Sequence, residues 1–125
     1  MGVSFKSYRD LDVWRKAMGL VKAVYIATSS YPSEEKFSLV SQMRRAAVSI
    51  PSNLAEGHAR YGGGEFKHFI SIAMGSVAEL ETQVILSVDL AYLIENTGRD
   101  LLNQLDEVGK MLRGLYRSLS IRREE

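Results

Sequence analysis

The chain has 125 residues, 16 Lys and Arg against 15 Asp and Glu, a formal net charge of +1 and no cysteine. That length matches one domain and buries a core without disulfides or a structural metal. The missing cysteines exclude disulfide scaffolds, thiol catalysis, Cys-ligated zinc and iron–sulfur clusters, and near-neutrality argues against a whole-surface polyanion binder. An apolar content of 46% with 25% charged residues fits a soluble globular domain. The opening MGVSFKSYRD is too polar for a signal peptide, and no run approaches about 18 consecutive apolar residues. The expectation is a cytoplasmic chain with no membrane partner.

Pro32, Pro51 and the triplet Gly62-Gly63-Gly64 divide the chain into stretches whose apolar residues recur at three and four, the helical period. The first predicted helix covers about 8–29. Ser7 with Asp10 three residues on reads as its cap, and Trp14, Met18, Val21 and Tyr25 align on one face. Ser29-Ser30-Tyr31-Pro32 ends it, because the residue before proline is pushed out of the α region. The second helix, about 33–58, starts at Ser33 as cap, with Glu34 and Glu35 set against the dipole. Val40, Met43, Ala47, Ile50 and Leu54 form its apolar face, in phase through Pro51, which favours a kink there over a break.

The third helix, about 64–96, carries Phe66, Ile70, Ala73, Val77, Leu80, Val84, Val88 and Ala91, and Asn96-Thr97-Gly98 reads as its stop. It would span roughly 50 Å and outrun the fourth helix by roughly 15 Å, a surplus that favours assembly. The fourth, about 99–120, places Leu101, Leu105, Val108, Leu112, Leu115 and Leu119 at heptad spacing, and the tail from Ile121 frays. The predicted fold is all-α: one domain over 1–125, an antiparallel up-down four-helix bundle.

Charge is uneven along the chain. Residues 1–31 hold five basic and two acidic side chains, and residues 65–98 hold one basic and five acidic. Catalytic groups are sparse. Glu65 and His68 form one Glu-x-x-His, where carboxylate-bridged di-iron bundles need two. The glycine triplet near Arg60 and Lys67 could cradle an anion, but it lacks the surrounding nucleotide-binding signature. No metal, cofactor, small-molecule substrate or catalytic residue is expected, and the chain reads as a non-enzyme.

Two patterns are less ordinary. Gln42, Arg45, Ser49, Asn53 and Glu56 make a polar stripe on the second helix, suited to a network against another helix or subunit, or to a ligand. On the fourth helix Lys110, Arg113 and Arg117 share a face, followed by Arg122 and Arg123. That ridge suits phosphate contact and equally suits a solvated, dipole-compensating helix end. Arg44 and Arg45 are secondary nucleic-acid candidates.

The run Gln42-Met43-Arg44-Arg45-Ala46-Ala47-Val48-Ser49-Ile50-Pro51-Ser52-Asn53-Leu54-Ala55-Glu56-Gly57 resembles the signature of the 23S rRNA intervening-sequence protein family, bacterial four-helix-bundle proteins. The resemblance continues through Ala73-Met74-Gly75-Ser76-Val77-Ala78-Glu79-Leu80-Glu81-Thr82-Gln83, and earlier through Leu11-Asp12-Val13-Trp14-Arg15-Lys16-Ala17 and Tyr31-Pro32. It implies a ring-like homopentamer with no catalytic residues, in which Glu79 and Gln83 join the stripe as candidate packing or subunit-contact positions. It also implies a distant relation to the accessory variability determinant of diversity-generating retroelements, a basic bundle that binds a reverse transcriptase and nucleic acid. The expected role is therefore a nucleic-acid-associated or protein-partner scaffold, bound to RNA or DNA or to a partner such as a reverse transcriptase. The alternative is a purely structural interaction module.

Overall fold

A computed structural model describes residues 7–60 and 63–124, with side chains for 7–60 and 64–120. Four helices dominate: α1 (Asp12–Thr28), α2 (Leu39–Ala59), α3 (Gly63–Asp89) and α4 (Glu95–Glu124). Two 3-10 turns, Tyr8–Asp10 and Ser33–Glu35, precede α1 and α2, and no strand occurs among the described residues. Each helix packs on the next and α4 returns to α1, while α1 and α3 make no close packing, nor do α2 and α4. The shared core holds Leu20, Met43, Ile50, Leu54, Ile70, Leu80, Leu105 and Leu112, all fully buried. Each such side chain contributes about 1.5–3 kcal/mol of hydrophobic stabilisation.

Local chemistry moves several expected boundaries. The Ser7 box forms, with Ser7 Oγ accepting from the Arg9 amide at 3.1 Å and Asp10 accepting from the Ser7 amide at 3.3 Å. It closes only one 3-10 turn, because Leu11 is extended, so α1 starts at Asp12. The core face of α1 is Val13, Ala17, Leu20, Val24 and Thr28. The expected face of Trp14, Met18, Val21 and Tyr25 lies one residue further on and flanks the core, with Tyr25 42% exposed. Amphipathic aromatics straddle a core edge, whereas small Ala17 lets the helix approach closely.

Ser33 does not cap α2. The Glu35 carboxylate does, accepting from Ser38 Oγ at 2.6 Å and from the Leu39 amide at 3.4 Å. From Leu39 the helix runs unbroken through buried Pro51 to Ala59, so Pro51 does not end it.

Asn96-Thr97-Gly98 is no stop. The chain turns earlier, where Ala91 adopts φ 61°. The Tyr92 amide donates to Ser87 O at 2.8 Å and the Ala91 amide to Val88 O at 3.0 Å, the Schellman closure with alanine where glycine is usual. Gly98 instead lies in the first turns of α4, and a Cβ there would meet Val88 Cγ2 at 2.5 Å. It serves the close approach of α3 and α4. As a result α4 has 30 residues and α3 27, and the expected overhang of the third helix does not exist. α4 continues as helix beyond Ser120 to Glu124.

By length and composition Gly64–Asp89 is apolar enough to cross a membrane, yet only 33% of its most apolar stretch is buried in the bundle. Much of its apolar surface faces outward.

Candidate functional site

The polar stripe of α2 divides in two. Ser49 Oγ lies 2.8 Å from Ser76 Oγ on α3, and the Asn53 amide donates to Ser49 Oγ at 2.9 Å and Ser49 O at 2.8 Å. These three make a half-buried polar clasp between α2 and α3. One helical turn on, a Cβ at Gly57 would meet Phe69 Cβ at 2.7 Å, so glycine sets the separation of the two helices there. Gln42, Arg45 and Glu79 stand exposed outside the clasp. Glu56 pairs with Arg60 at 3.0 Å, an exposed i, i+4 bridge. Gln83 is buried, and its Oε1 has no partner among the described residues. Ser76 was absent from the sequence reading of the stripe; only its position across from Ser49 reveals it.

The basic candidates also separate. Arg44 turns inward: Nε donates to Thr28 Oγ1 at 3.0 Å, a terminal nitrogen donates to Tyr25 O at 3.2 Å, and the guanidinium stacks 4.4 Å from the Tyr25 ring centre. It closes the C-terminus of α1, where carbonyls lack helical partners and a cation is favoured. Lys110 pairs with Asp106 at 3.1 Å, a bridge legible in the i, i+4 spacing. Arg113 folds back so that a guanidinium nitrogen lies 3.3 Å from where a Gly109 Cβ would sit, lining a small α3–α4 groove with Glu81 and Asp106. Arg117 is exposed, and the Lys67 ammonium sits 4.8 Å from the ring centre of Tyr116, its neighbour in sequence. The side chains of Arg122 and Arg123 lie outside the described residues.

Other motifs find local partners. Glu65 lies 3.5 Å from Arg60, while His68 stands edge-on to Phe69 at 5.6 Å, so the Glu-x-x-His pair is not brought to one centre. Among the described residues, no group of three His, Asp or Glu could hold a metal. Tyr61 and Gly62, at the start of the glycine triplet, lie outside the described residues. At the other end of the bundle the Tyr92 hydroxyl donates to Glu35 Oε2 at 3.0 Å and the Tyr92 ring packs 5.4 Å from Tyr31. The hydrogen bonds from Ser38, Tyr92 and the Leu39 amide hold the Glu35 carboxyl below its usual range, and the Glu35 carboxylate raises Tyr92. Burial raises Tyr31, and the Ser87 hydroxyl beside it acts in the opposite direction and more weakly.

What remains is surface. On α3, Ile72, Gly75, Glu79, Thr82 and Leu86 form an exposed stripe, with exposed Ile85 next to Leu86. Between α1 and α4 an open groove of about 590 Å³ is lined by Gly19 and Met111 together with the charged Asp12, Arg15, Lys16 and Glu107. The arrangement offers contact surfaces and no convergent set of reactive groups.

The family model described as "23S rRNA-intervening sequence protein" matches residues 9–114. The chain belongs to that family. The 23S rRNA-intervening sequence match spans all four helices and both surfaces just described. The fold is similar to that of a solved protein of unknown function from the S23 ribosomal protein family of Bacteroides thetaiotaomicron, with a TM-score of 0.76 at 21% identity, covering 84% of this chain and 95% of that one. No curated protein matches the chain.

Proposed function

We infer that this 23S rRNA-intervening sequence family protein is a non-enzymatic scaffold: an up-down four-helix bundle that assembles with copies of itself into a ring. The observation carrying this reading is the outward face of α3, where Ile72, Leu86 and neighbouring Ile85 stand 39%, 45% and 51% exposed on a helix long and apolar enough by composition to cross a membrane. Apolar residues aligned on one outward face mark an interaction surface. The clasp of Ser49, Asn53 and Ser76 serves the bundle itself, and the surface beside it serves the neighbour. Light scattering on the purified chain and on the variant Ile72→Glu with Leu86→Glu tests this. Wild type is expected at a multiple of 14.0 kDa and the variant at 14.0 kDa; a wild-type monomer would refute the reading.

A second reading, nucleic-acid contact by the C-terminal half of α4, draws on exposed Arg117 and Arg113 with Lys67 held over Tyr116. Cations beside an aromatic ring suit a phosphate backbone and an unstacked base. Lys110 enters this patch less strongly because Asp106 already neutralises it. Fluorescence titration with structured RNA at two salt concentrations is expected to show affinity falling steeply with salt. Affinity unchanged in the variant Lys67→Gln, Arg113→Gln, Arg117→Gln would remove α4 as the contact.

A further inference from the structure

Clefts on the bundle differ in how their charges are matched. The α1–α4 groove sets Arg15 and Lys16 against Asp12 and Glu107. The α3–α4 groove sets Arg113 against Glu81 and Asp106, and a cleft beside the α3–α4 turn sets Arg99 against Asp89 and Glu95. A fourth cleft, of about 350 Å³, lies between the end of α1 and the start of α2. Its charged lining is Lys36 and Arg44, with no carboxylate.

Arg44 is the more informative of the two. Every other arginine with a described side chain is exposed, whereas Arg44 is half-buried. A charge withdrawn from water is ordinarily paired with an opposite one, yet Arg44 forms no ion pair among the described residues. Its bonds go to Thr28 Oγ1 and Tyr25 O, and the carbonyl end of α1 offsets only part of its charge. Those bonds and the Tyr25 ring fix the guanidinium, and its other terminal nitrogen has no partner among the described residues. A group already held in place loses little freedom when an anion arrives.

The remaining lining fits an anion that carries an organic group. The Lys36 ammonium rests 5.6 Å from the Phe37 ring centre, on a flexible stem that lets it turn to an anion. Its neighbour Glu35 is engaged by Ser38, the Leu39 amide and Tyr92, and Glu34 does not line the cleft. Thr28 and Ser29 donate their hydroxyls to α1 carbonyls at 2.8 and 2.7 Å, which leaves the Ser33 hydroxyl to serve a ligand. Pro32 and Val40 supply an apolar wall. The volume is at the lower end of the range for small-molecule sites, about 300–1,000 Å³.

We propose that this cleft binds a small phosphate monoester. The phosphate lies between Arg44 and Lys36 and accepts from Ser33 Oγ, while the organic group rests on Pro32 and Val40. Two cations and a hydroxyl suit a near-dianion with three acceptor oxygens better than a singly charged carboxylate.

Phenyl phosphate is the probe, titrated at constant ionic strength into the intact nitrogen-15-labelled chain and followed by NMR. Saturable shifts are expected at the Ser33 and Lys36 amides and at Arg44 Nε. Half-saturation should need about tenfold less phenyl phosphate than inorganic phosphate, since only the ester reaches the apolar wall. Lys36→Gln, at an exposed position that leaves the fold intact, should weaken binding by about tenfold. Arg44→Lys keeps the charge but loses the anchored fork, and should weaken it further. Arg45→Gln, at the exposed neighbouring position outside the cleft, should change nothing. Shifts that fail to saturate, or a loss with Arg45→Gln equal to that with Lys36→Gln, would overturn the proposal in favour of general surface electrostatics. Equal affinity for inorganic and phenyl phosphate would overturn the ester as the ligand.

Discussion

The α2–α3 seam and the α1–α4 junction use the same residue types to opposite ends. At the seam, Gly57 is pressed against Phe69, and Ser49, Asn53 and Ser76 satisfy one another between the helices. At the junction, a Cβ at Gly19 would meet no heavy atom within 4 Å, and Asp12, Arg15, Lys16 and Glu107 line an open groove. The seam is finished within one chain; the junction leaves an open groove. A helix-interior glycine or a polar stripe thus carries no meaning by itself, and its partner atoms decide whether it serves fold or assembly.

Substitutions sharpen this contrast. Gly57→Ala should have the largest effect, because Phe69 Cβ is tied to its backbone and cannot swing away. A loss of about 1–3 kcal/mol is expected from overpacking, read as a lower urea midpoint; an unchanged midpoint would mean the seam is looser than its geometry. Arg44→Met removes two hydrogen bonds at the C-terminus of α1 and should lower stability by about 1–2 kcal/mol. Nucleic-acid affinity should not change with it, which titration of the variant checks. Ser49→Ala leaves the Ser76 hydroxyl without its partner and should lose about 1 kcal/mol in the same unfolding assay.

Gly19→Ala should act in the other direction. Measured in the Ile72→Glu, Leu86→Glu variant, it is expected to gain roughly 0.5–1 kcal/mol, since helix propensity improves and no atom is crowded. A loss there would place Gly19 with Gly57 and erase the contrast. The smallest effect is expected from Glu35→Gln. The folded-state pKa of Glu35 lies below its usual value, so its contribution is present above the unfolded value of about 4.3 and is lost as pH falls through the folded one. Wild type and variant should differ at neutral pH and converge on acidification, as urea midpoints at the two pH values would show. A gap independent of pH would mean that the carboxylate charge plays no part in capping α2.

Much of the fold is legible in the residues. The apolar steps of the second and fourth helices, and of the third as far as Val88, name their core faces, because Leu, Ile and Val at period 3.6 can only be buried together. The first helix misleads because Trp14 and Tyr25 are large and apolar but amphipathic, and they settle at the core edge while Ala17 enters it. The α3–α4 turn is hidden because Ala91, which carries no turn signal, takes the left-handed position, and the conspicuous Gly98 is used for packing. Among site candidates, Arg44 and Arg45 are neighbours in sequence with opposite fates, since the roughly 100° between adjacent helical positions aims Arg44 at the end of α1 and leaves Arg45 outside. The carboxylate partners of Lys110 and Arg60 stand at i, i+4 and could be read directly. Ser76, Lys67 and the Glu35–Tyr92 bond require tertiary structure to appear.

The central claim is that the outward side chains of α3 are covered when the protein assembles. Hydroxyl-radical labelling followed by peptide mass spectrometry, at concentrations above and below assembly, tests it most directly. Ile72 and Leu86 should become protected as concentration rises, while Phe37, 89% exposed on the α1–α2 connection, should label equally throughout. Equal labelling of Ile72 and Leu86 at every concentration would contradict it.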